Sequence, residues 1–219
     1  TFHVTITLQT EFRLMGDPRL FEGFVFDSSL PDGPIDLLHL SVEADDFPAA
    51  DRIAVERASA LVDELSYTTK SAWVIDQHSS MIAKTDSHPM PKIFTAAKLK
   101  NIPDDLLEKT KRIRSYDANA LSLYRQALAA RSALEKYLNF YRVLELSIGK
   151  TYKVETWIRT QRPDIWMVGS VTAMTDMRHR VAHAKRNRDY VILSNRAHVN
   201  QEEALLGDVE ALARTAIEE

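Results

Sequence analysis

The apolar residues of this chain change their period partway along, and that change constrains the fold more than any other feature. Near the start, Phe2, Val4, Ile6 and Leu8 alternate with His3, Thr5, Thr7 and Gln9, the period-two pattern of a half-buried strand. Gly23 to Asp27 and Leu38 to Glu43 read as further short strands, separated by the turn-rich run from Ser28 to Pro34. Pro48 suits the first turn of a helix whose buried face carries Ile53, Arg57/Ala58, Leu61/Val62 and Leu65. Ala72 to Asp76 and Met81 to Lys84 read as strands, and Ser87 to Pro91 as a loop. Beyond about Pro103 the helical period takes over. Leu121, Tyr124 and Leu128 form one stripe. Leu134, Tyr137/Leu138, Tyr141, Leu144 and Ile148 form a stronger one, with Ser132 as N-cap and Gly149 as the stop. Ser170 is expected to cap a third helix bearing Val171, Met174 and Val181, and a fourth runs from about Gln201 with Leu205, Val209, Leu212 and Ala216 on one side. The expected class is α+β: a mixed strand and helix domain over 1–102, then an all-α four-helix bundle over 103–219.

With 219 residues, the chain is long enough for one large domain or two small ones. It has no cysteine, which excludes disulfides, thiolate nucleophiles and Cys-based zinc sites. No apolar run approaches the roughly 20 residues of a membrane span, and Thr1-Phe2-His3 opens neither the charged nor the apolar region of a secretory signal. A cytoplasmic location without membrane association is therefore expected. The net charge of -3 gives no global attraction to nucleic acid, but charge is unevenly placed. From Arg178 to Arg188 there are five cationic residues (Arg178, Arg180, Lys185, Arg186 and Arg188) and no acid.

That segment carries the chemistry. Arg178 is followed directly by His179 and, five positions on, by His183. Upstream stand Tyr124-Arg125-Gln126-Ala127-Leu128 and Phe140-Tyr141-Arg142-Val143-Leu144-Glu145. Together these residues resemble the RxxxxH signature and first two helices of bacterial HEPN domains, among them the MauJ-like and antiphage-defence groups. The resemblance runs from about Ser115 to the end. It implies a metal-independent endoribonuclease, active as a two-fold homodimer, that leaves a 2′,3′-cyclic phosphate and serves as an effector in bacterial defence or a toxin system. Arg178, His183 and His179 would be its catalytic residues. The residue types suit the reaction: an imidazole can take and give protons near neutrality, and a guanidinium offers a permanent charge and a planar fork to phosphate oxygens. Residues five apart lie about 140° around a regular helix, so Arg178 and His183 meet only if the helix loosens or a second copy supplies the partner. Glu145, on the apolar side of its helix, is a candidate to pair with Arg178 and fix its guanidinium.

Other readings compete. Cations near a helix C-terminus interact favourably with its dipole, so the motif also fits a catalytically inactive HEPN module that binds nucleotide, RNA or protein. Arg180, Lys185, Arg186 and Arg188 fit either a solvated surface or contacts to an RNA backbone. The i,i+4 pair His179 and His183 has zinc-like spacing, yet Arg180 stands where a metalloprotease places its glutamate, so no metal is expected. Some HEPN toxins are silenced by modification of a tyrosine two residues after the motif histidine; here Lys185 occupies that place, so the resemblance does not extend to this form of control. Tyr124, Tyr137, Phe140 and Tyr141 sit at stripe positions and suit core packing rather than base stacking. His3, His39, His78, His88 and His198 lack a partner pattern, and Asp45-Asp46 and Asp104-Asp105 look like helix N-terminal acids. No Gly-rich phosphate loop is present and no cofactor is expected. The 1–102 domain would sense a ligand or regulatory partner.

Overall fold

The computed structural model describes residues 1–13, 18–30, 32–76, 81–82, 100–101, 105–182 and 196–219, of which 81, 82, 107 and 196–203 by backbone alone. The chain is α+β and divides into two compact units, Thr1–Ser115 and Tyr116–Glu219.

In the first unit, β1 (Phe2–Gln9) is followed by β2 (Phe12–Arg13), β3 (Arg19–Phe21), β4 (Phe24–Asp27) and β5 (Leu37–Val42). Next come α1 (Phe47–Thr69), β6 (Val74–Ile75), β7 (Met81–Ile82), β8 (Lys100–Asn101), α2 (Leu106–Arg112) and a 3-10 turn over Ile113–Ser115. The main sheet runs β3-β4-β5-β1-β6, with β7 also on β1, and every pairing in it is antiparallel. β2 and β8 form a separate parallel pair. The β3–β4 hairpin turns on Glu22 and Gly23, at φ +49° and +86°. Two consecutive positive φ values match the right-handed twist of the flanking strands. Strands stand where the alternation over Phe2 to Gln9, Gly23 to Asp27 and Leu38 to Glu43 places them. Val74–Ile75 occupies the centre of the expected Ala72 to Asp76, and Met81–Ile82 begins the expected Met81 to Lys84. Residues 83 and 84 and the expected loop over 87–91 lie outside the described residues, and β2, β3 and β8 go beyond the strands expected.

Asp46 caps α1 by accepting the Ala49 N–H at 2.8 Å. The helix buries Ala50, Ala54, Ala58, Leu61, Val62 and Leu65 with Val4, Ile6, Leu8, Phe24, Phe26, Leu38, Leu40 and Val42 of the sheet. The buried stripe begins on alanines rather than on Ile53 and Arg57: Ile53 is only partly buried, and Arg57 lies over the Phe24 ring at 5.2 Å. Small residues let the helix axis approach the sheet, so apolar bulk is a poor guide to its inward face. Trp73 completes this core, stacked on Phe12 at 5.3 Å and edge-on to Phe26 at 6.1 Å. Its backbone N–H reaches Ser66 Oγ and its indole N–H reaches Thr69 Oγ1, so both donors are satisfied. On the polar side of the sheet, His3 Nδ1 lies 3.0 Å from Ser41 Oγ, and His39 Nδ1 lies 2.9 Å from Thr5 Oγ1. These are cross-strand pairs of one ladder. His78 and His88 lie outside the described residues, as does the side chain of His198.

The first unit extends to Ser115 rather than stopping at 102, because α2 packs on α1 and buries Leu106, Thr110 and Ile113. Asp105 stands at the N-cap of α2, consistent with its reading as a helix-start acid, and Asp104 lies outside the described residues. Arg114 then joins Glu22 and Glu64.

The second unit contains α3 (Ala118–Ala129), α4 (Ala133–Ile148), α5 (Thr151–Gln161), β9 (Met167–Val168), β10 (Val171–Thr172), α6 (Ala173–Ala182) and α7 (Arg196–Glu218). Central among them is α4, which meets α3, α5, α6 and α7. Ser132 Oγ caps it by accepting the Glu135 N–H at 3.1 Å, and Gly149 ends it at φ +111°. Tyr124, Tyr137, Phe140 and Tyr141 are all buried, as their stripe positions imply. Leu205, Val209, Leu212 and Ala216 of α7 are buried too. Two elements go beyond the four expected helices: α5, and the β9–β10 hairpin ahead of α6. Ser170 therefore lies in the hairpin turn, not at a helix start, and Val171 is a strand residue. The first turn of α6 is held by Thr172 Oγ1, which accepts the Thr175 N–H at 3.3 Å. Among the described residues no helix is long and apolar enough to cross a membrane.

Truncating the Trp73 side chain is expected to cost about 3–5 kcal/mol, the range for large aromatic deletions in a packed core. Thermal and urea unfolding of Trp73→Ala, followed by circular dichroism, checks this. A transition indistinguishable from the parent's would contradict the assignment of Trp73 as the keystone of the first unit.

Candidate functional site

The last turn of α4, the first turn of α5 and the middle of α6 meet at Glu145. Its Oε1 receives Arg178 Nη2 at 2.8 Å and the Thr151 hydroxyl at 3.3 Å. The Arg178 side chain is only 17% exposed and that of Glu145 25%, so the pair is largely withdrawn from water. A guanidinium so placed is costly unless a carboxylate faces it. The acid singled out from the sequence is thus the residue against which Arg178 rests.

His179 follows on the same helix and lines an open cleft of 550 Å³. Thr175, one turn earlier, lines it from the same face of α6, while Lys150, Thr151, Tyr152 and Glu155 contribute from the start of α5 and Val171 from the hairpin. Behind Thr175 runs a chain of polar groups. Its Oγ1 stands 3.0 Å from the buried Tyr141 hydroxyl and 3.3 Å from Thr172 Oγ1. Thr172 in turn donates its hydroxyl to Glu155 Oε2 at 2.9 Å and its backbone N–H to Oε1 at 3.0 Å. Arg159 Nε closes the chain on Glu155 Oε1 at 2.7 Å, and its Nη2 reaches the Ser170 carbonyl at 2.5 Å.

These contacts set the charge states. Burial alone would raise the Glu155 carboxyl, but hydrogen bonds from Thr175, Arg159 and Thr172 outweigh it and hold the group below its usual range. The Tyr141 hydroxyl is pushed up to about 12, first by burial and then by the negative charges of Glu145 and Glu155, against the hydrogen bond from Thr175 and the charge of Arg178. Tyr141 therefore keeps its proton at neutral pH and acts as a fixed hydrogen-bonding group, not as a base.

The other motif residues fall into two sets. Arg180 stands 4.0 Å from Asp176 on its own helix and is 14% exposed. Its charge is thus engaged by a neighbouring carboxylate rather than spread over open surface. His183, Lys185, Arg186 and Arg188 lie outside the described residues, as does the pairing of His183 with His179. Among the described residues no group of three or more histidine, aspartate or glutamate side chains is placed to share a metal ion. Reading the sequence did not single out Lys150, Tyr152, Glu155, Thr172 or Thr175. Glu155 and Arg159 have the i,i+4 spacing of an ordinary surface pair, and only the hairpin that brings Thr172 to them gives Glu155 its role.

Residues 120–218 match the family model described as methylamine utilization protein MauJ. The match lies wholly within the second unit and includes Glu145, Glu155 and the Arg178–His183 segment. No curated protein and no solved structure matches the chain.

Because the folded Glu155 carboxyl lies below its unfolded value of 4.5, its contribution to stability is present above that pH and is lost as pH falls through the folded value. Glu155→Gln should remove this contribution, lowering the melting temperature near pH 7 and flattening its decline below about pH 4.5. Melting curves of parent and variant between pH 7 and pH 3 make the comparison. Parallel profiles would show that Glu155 is not the hub described.

Proposed function

We propose that the second unit is a metal-independent endoribonuclease of the HEPN type, acting on RNA in the cytoplasm as a homodimer, in bacterial defence or as a toxin effector. The observation that carries this reading is the placement of two adjacent motif residues. Arg178 is fixed by Glu145, whose same oxygen also holds the cleft residue Thr151, while His179 lines the cleft itself. A charge intended for a scissile phosphate must be held before substrate arrives, so that no reorganisation is needed as negative charge builds on phosphorus. Glu145 supplies that restraint.

In this mechanism a histidine, His183 by its place in the motif, removes the proton of a ribose 2′-OH. The 2′ oxygen attacks phosphorus, the bond from phosphorus to the 5′ oxygen breaks, and a second imidazole returns a proton to the leaving oxygen. The products are a 2′,3′-cyclic phosphate and a 5′-hydroxyl. Proton transfer of this kind contributes on the order of 10²- to 10⁴-fold, and the arginine stabilises the doubly charged phosphorane-like state. His179 orients the phosphate or serves as the second proton carrier. Arg178 and His183 do not share a face of a regular helix, and a two-fold dimer supplies the geometry by bringing two copies of the motif to one cleft.

One observation favours a second reading. An ion pair of 2.8 Å compensates the charge of Arg178 within the fold, as it would in a catalytically inactive module used for RNA, nucleotide or protein binding. The two readings diverge in how the Arg178 and Glu145 variants behave.

Cleavage of a labelled RNA by the purified protein in EDTA is expected to fall by about 100-fold or more in Arg178→Ala and in His183→Ala. Undiminished cleavage in either variant removes that residue from the site, and loss of the parent's activity to the chelator removes the metal-free mechanism. Glu145→Gln is expected to lower kcat by about 10-fold or more while changing KM less, because it loosens a group already bound to the chain. An inactive module predicts no cleavage in the parent and altered melting alone in the variants. Light scattering under assay conditions gives the mass, and a strict monomer would contradict the composite cleft.

A further inference from the structure

The tyrosines of the second unit are not alike. Tyr124, Tyr137 and Tyr141 are buried, and their hydroxyls meet Glu210, the Met174 carbonyl and Thr175. Tyr152 is 66% exposed at the first turn of α5, on the rim of the cleft that His179 lines. Among the described residues neither its ring nor its hydroxyl has a partner. Tyr152 thus leaves a large aromatic face open at the rim of a cleft, where a planar group can lie on it.

The surroundings specify what that is. Lys150, exposed and in no ion pair among the described residues, lines the same cleft from the amino end of α5, where the helix dipole is positive. Glu155, which lines the cleft, is compensated by Arg159, and Glu145, which Thr151 reaches, by Arg178, so they do not repel an anion at full strength. Thr151 gives its hydroxyl proton to Glu145 and Thr175 is buried in the network behind the cleft, so these two residues add no charge to the wall of the cleft. An exposed aromatic face and an uncompensated cation lining one cleft are the elements that recognise a nucleotide: base on the ring, phosphate on the ammonium. At 550 Å³ the cleft is within the range of single-ligand sites, of about 300–1,000 Å³. Bases within a duplex are already stacked on each other and do not present a face.

We propose that Tyr152 and Lys150 form a nucleotide subsite that seats an unpaired base of single-stranded RNA, and so restricts the substrate to loops, bulges and strand ends. The assignment to RNA rests on the nuclease reading; the stacking itself does not. Tyr152 is a substrate-positioning residue: it touches the base, not the reacting bond.

The test uses the full chain and a fluorescent single strand of about ten nucleotides in which every ribose is 2′-O-methylated, so no 2′-OH is available for attack. Fluorescence anisotropy is expected to show Tyr152→Ala binding about 5- to 150-fold more weakly than the parent, with Tyr152→Phe within about twofold. Lys150→Ala should weaken binding and reduce its salt dependence, and a duplex of the same sequence should bind more weakly than the strand. Equal affinity of parent and Tyr152→Ala overturns the proposal, as does equal affinity for strand and duplex. Light scattering without oligonucleotide adds a further arm. If Tyr152→Ala changes the mass of the particle, the ring belongs to a contact between copies and the subsite is refuted. The nuclease reading fails separately: RNA cleavage untouched by Arg178→Ala, beside lost strand binding in Tyr152→Ala, would remove the catalytic assignment and leave the subsite standing.

Discussion

An arginine that keeps 17% of its side chain in contact with water must be paid for by a partner, and in the second unit that partner is Glu145. Much else follows from the position of this pair. Glu145 lies in the last turn of α4, so its carboxylate is where the helix ends at Gly149 and the chain reverses into α5. Thr151, at the start of α5, shares the same carboxylate oxygen. The contact therefore fixes the angle of the turn as well as the guanidinium. Two turns earlier on α4, Tyr137 also helps to set the orientation of α6 by donating to the Met174 carbonyl at 2.6 Å. The motif helix is thus clamped to α4 by one charged contact, Glu145 with Arg178, and two neutral ones, Tyr137 with Met174 and Tyr141 with Thr175, all from the face of α4 that the aromatic stripe defines.

Glu155 plays the corresponding part for the hairpin. It accepts from the backbone and side chain of Thr172 and from Arg159, and so ties β10 to α5. Between the two glutamates lie Thr175 and Tyr141, whose hydroxyls stand 3.0 Å apart in a buried setting. A fully satisfied buried network of this kind holds its members in one arrangement, because losing any link leaves a desolvated polar atom behind. The wall of the cleft behind His179 is consequently rigid, whereas Lys150 and Tyr152 at the rim are exposed and tied by few contacts. This division is what the proposed nuclease reading requires, a fixed charge for a phosphate and a rim that accommodates different bases.

The parts of this arrangement legible in the sequence were those carried by local pattern. Alternation over Phe2–Gln9, the cap at Ser132, the stop at Gly149 and the stripe through Tyr137, Tyr141 and Leu144 each depend on residues within a few positions of one another. The pairing of Glu145 with Arg178 was also legible, since an acid on an apolar stripe needs a cation. What was not legible rests on weak or non-local signals. α5 buries only Val154 and Ile158, and its three threonines and exposed Tyr152 blur the helical period. The inward face of α1 begins on Ala50, Ala54 and Ala58, which carry little apolar weight in any pattern. α2 buries a threonine, Thr110, among its few core positions. The extent of the first unit followed from that helix packing on α1, a contact between residues far apart in sequence.

Charge compensation gives the last step. Of the cations expected to hold a nucleic-acid backbone, Arg180 is drawn toward Asp176 within its own helix. A cation spent on a neighbouring carboxylate contributes less to counterion release than one facing solvent. Lys150 was not among the expected residues, yet it is exposed, stands at a helix start and borders the cleft. Under the proposed reading, attraction of a phosphate at this face depends on which cations the fold leaves uncompensated as well as on how many the sequence contains. Counting arginines along a helix overstates the field at a site when acids lie one turn away. Here the same acids, Glu145 and Asp176, are what allow Arg178 and Arg180 to be held largely out of water.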